Sequence, residues 1–335
     1  MPATAIDIGT YAVKVISADP GKQPNIIRTV ETLNPHGIAM PIDDLQIEQV
    51  GELVNNIVFD NKIPHADIRL SLPESIVSSK VISIPPLTDA ELASAINWQA
   101  EQHIPIPKED LSLQYKVLYR PEKSKQEQMR VLLIGTRKSL VDRFINMFIA
   151  MGIEPTLLET HVLSLLRSLD IGADEPPTMV LNIGATNMDV VVIFKGEIQF
   201  VFTHSGAGAL LTKTLQQTLG LDLQQAEQYK RTYGLDPNQF EGRVRNALIP
   251  VINTLTNEIQ KAQRYFASQF PQNTLSRIVI TGGTSQLPGL VEYLSESLGT
   301  EILFSAPFAS ATGEIPQENQ QTYSVCLGLL MRELA

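Results

Sequence analysis

The sequence contains one short pattern twice, and this internal repeat limits the possible folds more than any other feature. The first copy is Ile6-Asp7-Ile8-Gly9-Thr10, and the second is Leu181-Asn182-Ile183-Gly184-Ala185. Each copy is an apolar, β-branched strand that runs into a glycine turn and a β-branched return strand. A repeat at this separation predicts two duplicated halves that face one another.

The paired glycine turns also predict the kind of ligand that lies between the halves. A turn glycine lets the backbone approach a phosphate closely, and the N–H groups after it can form a nest for an anion. At the end of the first strand, the Asp7 carboxylate can hold a hydrated Mg²⁺ against phosphate oxygens, while Thr10 and Lys14 add a hydroxyl and a cation. One copy alone is better explained by an ordinary hairpin in which Asp7 caps the turn, but two matching copies favour a polyphosphate site.

A third glycine-rich segment lies downstream of the second hairpin. Residues 277–281 are predicted to form a strand, Gly282-Gly283-Thr284 a turn, and a helix is expected from about Pro288. Open α/β sheets bind ligands at turns after the carboxyl ends of strands, and a backbone without side chains can lie flat on a purine or ribose. A purely structural turn is the alternative, and the spacing from the second hairpin favours the ligand.

Two helices between these segments supply further candidate contacts. The segment His204-Ser205-Gly206-Ala207-Gly208 opens a helix predicted at 209–219, whose free N–H groups can face phosphate or ribose. On the next helix, which ends near Gly234, Glu227 and Lys230 lie on one face and can bond the ribose hydroxyls and the adenine edge. A solvated ion pair is the alternative for these two residues.

From Lys80, between the two glycine turns, the pattern changes to a block of the order β-α-β-β-α, which we interpret as a small inserted domain. A capping box of Thr88 and Glu91 starts its first helix, and Ile104-Pro105-Ile106-Pro107 ends that helix because proline has no N–H group to donate. The predicted elements are a strand at 81–84, a helix to about His103, strands at 111–119 and 129–135 around a loop at 120–128, and a helix at 139–151.

The segments on either side of this block carry alternating helix and strand patterns. A helix is predicted at 44–59 before a strand at 68–72, and an amphipathic helix is predicted at about 155–169 after the block. The second hairpin turns at Lys195-Gly196 and continues into a third strand that reaches about Phe202. Alternating helices and strands of this kind indicate an α/β protein.

Composition supports two lobes and excludes several classes of protein. A chain of 335 residues, 43% of them hydrophobic, exceeds the roughly 250–300 residues at which single cores stop growing. The net charge of -10 argues against a general nucleic-acid binder, which relies on clustered Lys and Arg. The single cysteine, Cys326, excludes an intrachain disulfide and suits a reducing compartment such as the cytosol. The sequence predicts no secretory signal and no membrane-spanning helix.

These motifs together resemble the superfamily of actin, Hsp70 and the sugar kinases: two D/N-I-G hairpins, an A-E-x-x-K helix at 226–230, and T-G-G-T-S-x-L-P-G at 281–289. Within it, the chain resembles the PilM family, the cytoplasmic actin-like component of type IV pilus assembly, which is itself similar to the cell-division protein FtsA. Asp7-Ile8-Gly9-Thr10 with Lys14 matches the family's D-I-G-x-x-x-x-K opening, and residues 98–107 resemble the segment typical of its inserted domain. The resemblance extends over essentially the whole chain.

The resemblance implies an α/β, actin-like (ribonuclease H-like) ATPase fold of two duplicated lobes with an FtsA/PilM-type inserted subdomain. The divisions that we expect are the first part of the lobe 1 core at 1–82, a 1C-like, partner-binding inserted subdomain at 83–152, the return of lobe 1 with a connecting helix at 153–178, a nucleotide-binding lobe 2 at 179–322 with a helical subdomain at about 222–272, and the C-terminal connecting helix of lobe 1 at 323–335.

The resemblance also implies ATP and Mg²⁺ as cofactors, with Asp7 as the metal ligand and no catalytic residue. Asn182 stands where hydrolytic relatives have an aspartate, Glu159 stands where relatives often have Asp in the helix that joins the lobes, and no Glu or Gln is in place as a water-positioning base. We therefore expect ATP binding with slow or no hydrolysis. The expected cofactor-binding residues are Asp7, Gly9, Thr10, Tyr11, Lys14, Asn182, Gly184, Ala185, Thr186, Ser205, Gly206, Glu227, Lys230, Gly282, Gly283 and Thr284.

The resemblance implies a protein partner, because relatives bind the N-terminal cytoplasmic tail of PilN, a bitopic inner-membrane protein. We place the dock for a PilN-like tail only as a region, roughly 83–136, which offers strands and a helix without a catalytic constellation. The chain is then expected to be a cytoplasmic scaffold of type IV pilus, or related type II secretion-like, assembly. Its partner would recruit it to the inner face of the cytoplasmic membrane, beside other pilus components. A homo-oligomer is a further possibility that the sequence leaves undecided.

Two other functions compete with the scaffold. An FtsA-like, filament-forming protein normally ends in a linker and a basic amphipathic helix, whereas the end of this chain at 327–335 resembles the lobe-connecting helix. A sugar or acetate kinase needs an acidic general base near the γ-phosphate, for which no motif is present. The five histidines lack metal-ligand spacing, so each is predicted to be a surface or satisfied core residue, and Ser205 lacks a G-x-S-x-G context.

Overall fold

A computed structural model describes residues 1–122 and 127–334 of the chain. Within these residues, the strands form two larger sheets, one in each lobe, and a small third sheet. The loop predicted at 120–128 is described only at its two ends, and Ala335 lies outside the described residues. In the part of the chain that is described, no helix is both long and apolar enough to cross a membrane.

Strands and helices alternate along most of the chain, as the sequence patterns predict. In chain order, the strands are β1 (Ala3–Ile8), β2 (Ala12–Asp19), β3 (Asn25–Leu33), β4 (Ile68–Leu72), β5 (Val77–Ile84), β6 (Leu111–Tyr119), β7 (Met129–Arg137), β8 (Pro155–Thr160), β9 (Thr178–Ile183), β10 (Asn187–Phe194), β11 (Glu197–Ser205), β12 (Arg277–Thr281), β13 (Glu301–Phe304) and β14 (Thr312–Gly313). The α-helices are α1 (Asp44–Asp60), α2 (Asp89–His103), α3 (Lys138–Ala150), α4 (His161–Leu169), α5 (Gly208–Leu219), α6 (Leu223–Tyr233), α7 (Arg243–Gln269), α8 (Leu290–Leu298) and α9 (Ser324–Leu330).

The two larger sheets share one arrangement, which confirms the predicted duplication. The first has the order β14-β3-β2-β1-β4-β8, and the second has the order β11-β10-β9-β12-β13. In each sheet, a run of three antiparallel strands, β1 to β3 or β9 to β11, is followed by strands that lie parallel to its first member. The glycine turns that follow β1 and β9 therefore occupy equivalent positions in the two lobes.

Strand β1 is buried on both faces, which explains why its sequence is apolar apart from Thr4 and Asp7. Alternate side chains of a strand point to opposite faces. On one face, Ala5 packs against α9, and on the other, Ile6 packs against α1 and α3. The first glycine turn is thus attached to the best-buried strand of its lobe.

The small sheet has the order β5-β7-β6, and α2 packs on it. Helix α2 begins with the predicted capping box, in which the Thr88 hydroxyl accepts from the N–H of Glu91 and the Glu91 carboxylate accepts from the N–H of Thr88. Leu92 and Ile96 bury the inner face of α2 against β7. The next helix, α3, instead inserts Phe148 into the core of the first lobe.

One predicted helix is wrong in its first part. Residues 155–160 form β8, which pairs in parallel with β4, and α4 begins only at His161. The open side of β4 offers main-chain hydrogen bonds that the spacing of apolar residues cannot reveal, so tertiary pairing decides the outcome. Pro155 is tolerated because it is the first residue of its strand. Glu159 therefore lies on a strand and not, as expected, on a helix that joins the lobes.

Helices α4 and α9 lie against each other between the two larger sheets. Val162 of α4 and Val325 of α9 pack in a cluster with strands of the second lobe, while Cys326 of α9 packs on the first lobe. The crossing is close at Gly328, where a Cβ atom would lie 1.7 Å from the carbonyl oxygen of Ser164. Only glycine fits this crossing without a shift of backbone.

Buried charged side chains join β8 and α4 to the residues that follow α9. Glu159 accepts hydrogen bonds from Arg167 at 2.6 and 2.8 Å and from Arg332 at 2.6 Å. Burial alone would raise the pKa of Glu159, but Arg167 and Arg332 outweigh it and hold the pKa below the usual range. Arg69, also buried, donates to the carbonyl oxygens of Leu329 at 3.0 Å and of Arg332 at 2.7 Å. The last described turn of the chain is therefore fixed to the first lobe.

Candidate nucleotide-binding cleft

The two predicted glycine turns meet across the gap between the lobes. The Oγ1 atoms of Thr10, in the first turn, and Thr186, in the second, are 3.3 Å apart. Tyr11, next to Thr10, has the guanidinium of Arg231 over its ring at 4.7 Å, and Arg231 belongs to α6 of the other lobe. The N–H of Gly9 closes the first turn with a 3.0 Å hydrogen bond. We call the space between these two turns the cleft.

Three segments of the second lobe converge on the second turn. The carbonyl oxygen of Gly184 accepts from Thr284 Oγ1 at 2.7 Å, which links the turn after β12 to the turn after β9. The same carbonyl accepts from the N–H of Gly208 at 3.2 Å, and the N–H of Gly206 donates to Thr186 at 2.7 Å. The residues predicted for this lobe from separate stretches of sequence are thus brought together.

The start of α5 differs from the prediction that its N–H groups are free. The N–H of Gly208 is bonded to Gly184, and the N–H of Ala209 donates to the carbonyl oxygen of Ala185 at 2.6 Å. These N–H groups close the second turn onto the helix, so they do not face a ligand. Ser205 ends β11 with its side chain exposed at the rim of the cleft.

The paired glycines after β12 have different surroundings. Gly282 has a φ of +83°, and a Cβ there would lie 2.6 Å from Asn182 Oδ1 and from the carbonyl oxygen of Ile183. Close packing of two backbones therefore explains Gly282 without any ligand. A Cβ on Gly283, in contrast, would meet nothing nearer than Thr322 Cγ2 at 4.0 Å. The open space beside Gly283 leaves its backbone accessible to a flat ligand such as a purine or ribose.

Asp7 is buried at the base of the cleft and is already paired. Its Oδ1 accepts from Ser71 Oγ at 2.8 Å, and His161 Nε2 lies 2.9 Å from the same oxygen; Lys14 Nζ is 3.6 Å from Oδ2. Burial disfavours the charged carboxylate, but the charges of His161 and Lys14 outweigh burial and hold the pKa of Asp7 well below its usual range. Burial disfavours charged His161 too, yet Asp7 raises the pKa of the imidazole.

Two further acids stand beside this pair. Glu74 Oε1 accepts from the N–H of Val162 at 3.0 Å, and burial, reinforced by Asp189, raises the pKa of Glu74 to about 7. Asp189 accepts from Thr203 Oγ1 at 2.9 Å and from Asn182 Nδ2 at 3.0 Å, and burial raises its pKa as well. The base of the cleft therefore holds one acid with a lowered pKa and two acids with raised pKa values.

Sequence reasoning missed three of these residues. His161, predicted to be a surface or satisfied core residue, is buried against Asp7, and among the described residues its Nε2 has no aligned hydrogen-bond partner. Its position at the end of β8 was hidden by the wrong helix prediction. Asp189 faces Asn182 directly across the β9–β10 ladder, a register that the predicted hairpin already contains. No sequence signal marks Glu74.

Glu227 and Lys230 form a buried network rather than the solvated pair that was the alternative. Lys230 Nζ donates to Gly208 O at 3.1 Å, Thr212 Oγ1 at 2.8 Å and Glu227 Oε2 at 2.6 Å, so all three ammonium donors are used within the protein. Glu227 Oε1 accepts from Arg231 Nε at 2.8 Å. Of these two predicted contacts, Glu227 is the one linked to the cleft, because its partner Arg231 lies over the ring of Tyr11.

A polar cavity of about 370 Å³ lies behind the second turn. Glu74, Asn187, Thr203 and Ser205 are among its lining residues, and strand β5 of the small sheet forms another part of its wall. The cavity therefore gives the base of the cleft a second polar side, away from the two facing turns.

The residues present fit a nucleotide with its metal better than a metal alone. In the described ranges, no group of three or more His, Cys, Asp or Glu side chains is arranged to hold a metal ion. Asp7 offers one ionised carboxylate, and Mg²⁺ at such sites takes most of its ligands from phosphate oxygens and water. The open backbone at Gly283 and the facing turns suit the other parts of a nucleotide.

Comparisons with known proteins agree with this geometry. A sequence model of the family described as type IV pilus assembly protein PilM matches residues 5–334. The chain belongs to this family. The solved PilM-PilN type IV pilus biogenesis complex has the same fold as this PilM-family chain, with a TM-score of 0.84 and 23% identity over 98% of this chain and 97% of that chain.

Other relatives place the PilM-family chain in a wider group. MreB5 of Spiroplasma citri, solved with bound ADP, aligns with a TM-score of 0.58 and 13% identity over 98% of this chain and 94% of that chain. The cell division protein FtsA of Neisseria meningitidis serogroup B (strain ATCC BAA-335 / MC58) is 26% identical over 171 residues. That match covers 45% of this chain and 41% of FtsA, less than half the length of this curated relative. The fold is the actin-like ATPase fold.

Proposed function

We propose that this PilM-family chain is an ATP-binding scaffold of type IV pilus assembly that docks the N-terminal tail of a PilN-like inner-membrane protein. One observation carries the proposal: the glycine turns after β1, β9 and β12 converge on one cleft between the lobes. The ADP bound to MreB5, which has the same fold, supports a nucleotide in this cleft. The PilM-PilN complex supports the docking of a PilN-like tail.

The cleft residues divide between the parts of the nucleotide. The N–H groups of Gly9 and Gly184 close their own turns, so the backbone N–H groups at 10–11 and 185–186 receive the phosphates. Thr10 and Lys14 contribute a hydroxyl and a cation. The open backbone at Gly283 lies against the base or the ribose. Glu227 accepts from the ribose hydroxyls. Lys230, whose donors are all satisfied, supports Glu227 without touching the ligand.

The same residues explain why we expect slow or absent hydrolysis. Asp7, oriented by Ser71, is the residue that would hold Mg²⁺, and the metal would supply positive charge that neutralises the phosphates. Asn182 donates to Asp189 and brings no second carboxylate to the turns. Glu74, an acid that sequence reasoning missed, has its Oε1 bonded to the N–H of Val162 at 3.0 Å. Glu74 is therefore engaged within the protein, and the amide of Asn182 cannot act as a base.

The docking surface that we propose lies in the region 83–136. Strand β6 is at the edge of the small sheet, where an extended peptide can add its own main-chain hydrogen bonds. Tyr115 on this strand and Trp98 on α2, the helix that packs on the sheet, are 39% and 59% exposed, and both offer apolar contacts to a peptide. Binding of the partner's tail would bring the chain to the inner face of the cytoplasmic membrane.

Calorimetry with Mg·ATP and with a synthetic PilN-like tail peptide tests both parts. We compare the wild type with Asp7→Asn, which keeps the side-chain shape and removes its charge, and with Asp19→Asn at the exposed end of β2 as a matched control. Wild type and Asp19→Asn should bind ATP and Asp7→Asn should lose it, while all three bind the peptide. A wild type that binds no nucleotide overturns the ATP-binding part, and one that binds no peptide overturns the docking part.

Two further assays separate this proposal from its competitors. Phosphoryl transfer to a panel of sugars would favour a kinase, because a kinase needs a second substrate beside the γ-phosphate. Pelleting of ATP-dependent filaments would favour an FtsA-like role. The scaffold predicts neither activity.

A further inference from the structure

The two carboxylate oxygens of Glu227 are held in different ways. Oε2 accepts from Lys230 Nζ and from Thr212 Oγ1, both at 2.6 Å, and these two partners are buried. Oε1 accepts from Arg231 Nε at 2.8 Å, and the Arg231 side chain is 57% exposed. Exposed ion pairs are weak and exchange easily, whereas buried, hydrogen-bonded ones do not. Oε1 is therefore the side of Glu227 that can change partner.

Arg231 also connects the two lobes. Its guanidinium lies over the ring of Tyr11 at a centroid distance of 4.7 Å, and Tyr11 belongs to the glycine turn after β1. A cation–π contact at an exposed site is a weak attraction. Arg231 is thus held on one side by Glu227 of its own lobe and on the other by Tyr11 across the cleft.

We propose that Arg231 is a latch on the cleft that competes with the ribose of the nucleotide for Glu227. This inference rests on the nucleotide binding proposed above. Ribose hydroxyls and Arg231 Nε are both hydrogen-bond donors, and both need Oε1 because Oε2 is occupied by Lys230 and Thr212. When a ribose hydroxyl takes Oε1, Arg231 loses its ion pair, and its contact with Tyr11 across the lobes loosens.

If Arg231 supported ribose binding instead of competing with it, removing Arg231 would change the affinity for ATP in the opposite direction. A carboxylate oxygen has two lone pairs, so Oε1 can in principle accept from Arg231 and from a hydroxyl at once. In that case Arg231 would hold Glu227 in place for the ribose, and removing it would weaken nucleotide binding. Competition instead predicts that removing Arg231 strengthens binding, and only of nucleotides that carry ribose hydroxyls.

The test uses calorimetry with Mg²⁺ and two ligands, ATP and 2′,3′-dideoxy-ATP, which differ only in the hydroxyls. The proteins are full-length wild type, Arg231→Gln and, as a matched control, Arg264→Gln, at an exposed position of α7. Because an exposed ion pair contributes little, Arg231→Gln should bind ATP about two- to five-fold more tightly than the wild type. Its affinity for dideoxy-ATP should equal that of the wild type, and Arg264→Gln should match the wild type with both ligands.

Other outcomes overturn the latch in distinguishable ways. An equal change in affinity for both ligands means that Arg231 does not act through the ribose. Weaker binding of ATP to Arg231→Gln means that Arg231 supports the ribose site instead of competing with it. Wild type that binds neither ligand removes the proposed nucleotide function, and the latch with it.

Discussion

Replacing Gly328 with alanine tests how closely α4 and α9 cross between the lobes. The added Cβ would lie 1.7 Å from the carbonyl oxygen of Ser164 and 2.4 Å from its carbonyl carbon, whereas ordinary contacts begin at 3.4 Å. The obstacle is backbone, so it cannot rotate away. Overpacking of this kind costs about 1–3 kcal/mol, and the better helix propensity of alanine returns about 1 kcal/mol. Taking the upper end, we expect the free energy of unfolding to fall by about 2 kcal/mol.

Gly51→Ala is the matched control, because Gly51 also lies inside a helix, α1. A Cβ there would meet Met147 Cγ at 3.6 Å, an ordinary contact with a flexible side chain. The control gains helix propensity without a clash and should be more stable than the wild type by up to about 1 kcal/mol. Urea unfolding followed by far-UV circular dichroism measures both variants. If Gly328→Ala is as stable as Gly51→Ala, the close crossing does not exist in solution.

Three further predictions concern the cleft, the chain ends and the docking region. Burial raises the pKa of Glu74 to about 7 in the folded state. From the ordinary range of a glutamate up to pH 7, Glu74 is therefore protonated in the folded protein and ionised in the unfolded chain. The free energy of unfolding of the wild type consequently falls as pH rises. Glu74→Gln should lack this fall and exceed the wild type at pH 8 by on the order of 1–3 kcal/mol in urea unfolding, with no such gain in exposed Glu52→Gln. Glu159→Ala leaves partly buried Arg167 without its carboxylate partner and should lower the free energy of unfolding by about 3–5 kcal/mol. Arg332→Ala, at a side chain that is 45% exposed, should lower it by about 1 kcal/mol or less. Equal losses would contradict the network. Trp98→Ala, at a 59% exposed side chain, should abolish calorimetric binding of the PilN-like peptide and leave urea unfolding unchanged; unaltered binding would remove Trp98 from the dock.

The sequence predicted the duplicated lobes because a glycine turn between two β-branched strands is a strong local signal. The small sheet and α2 could be predicted equally well, since a capping box at Thr88 and the prolines at 105 and 107 mark the two ends of the helix. Strand β3 was not predicted, and β8 was taken for helix. Strand β8 pairs with β4, which lies far away in sequence, and one sequence does not display such a pairing. Strand β3 pairs with the preceding strand β2, and its pattern is weak because much of the strand is exposed.

At the base of the cleft, the site was predictable only where its residues lie next to a glycine turn. Asp7 and Asn182 lie next to such turns, whereas Glu74 and His161 follow the ends of β4 and β8, the two strands that come after β1 in the order of the same sheet. The carboxyl ends of parallel strands meet at one edge of a sheet, so a correct assignment of β8 would have placed His161 near Asp7. No spacing reveals that the donors of Lys230 are already satisfied, because Thr212 and Gly208 reach it from another helix.

Under the proposed function, the charge balance of the cleft favours tight binding and slow hydrolysis of a nucleotide. Asp7 stays ionised because His161 and Lys14 lie against it, and these two cations also attract the phosphates of a nucleotide. Glu74 Oε1 accepts from the N–H of Val162, and Asp189 accepts from Thr203 and Asn182, so both acids are already engaged within the protein. The groups that would attract a nucleotide are therefore charged, while the nearby acids are held by protein partners. Under the proposed scaffold function, this division lets a nucleotide hold the two lobes together while it is hydrolysed slowly.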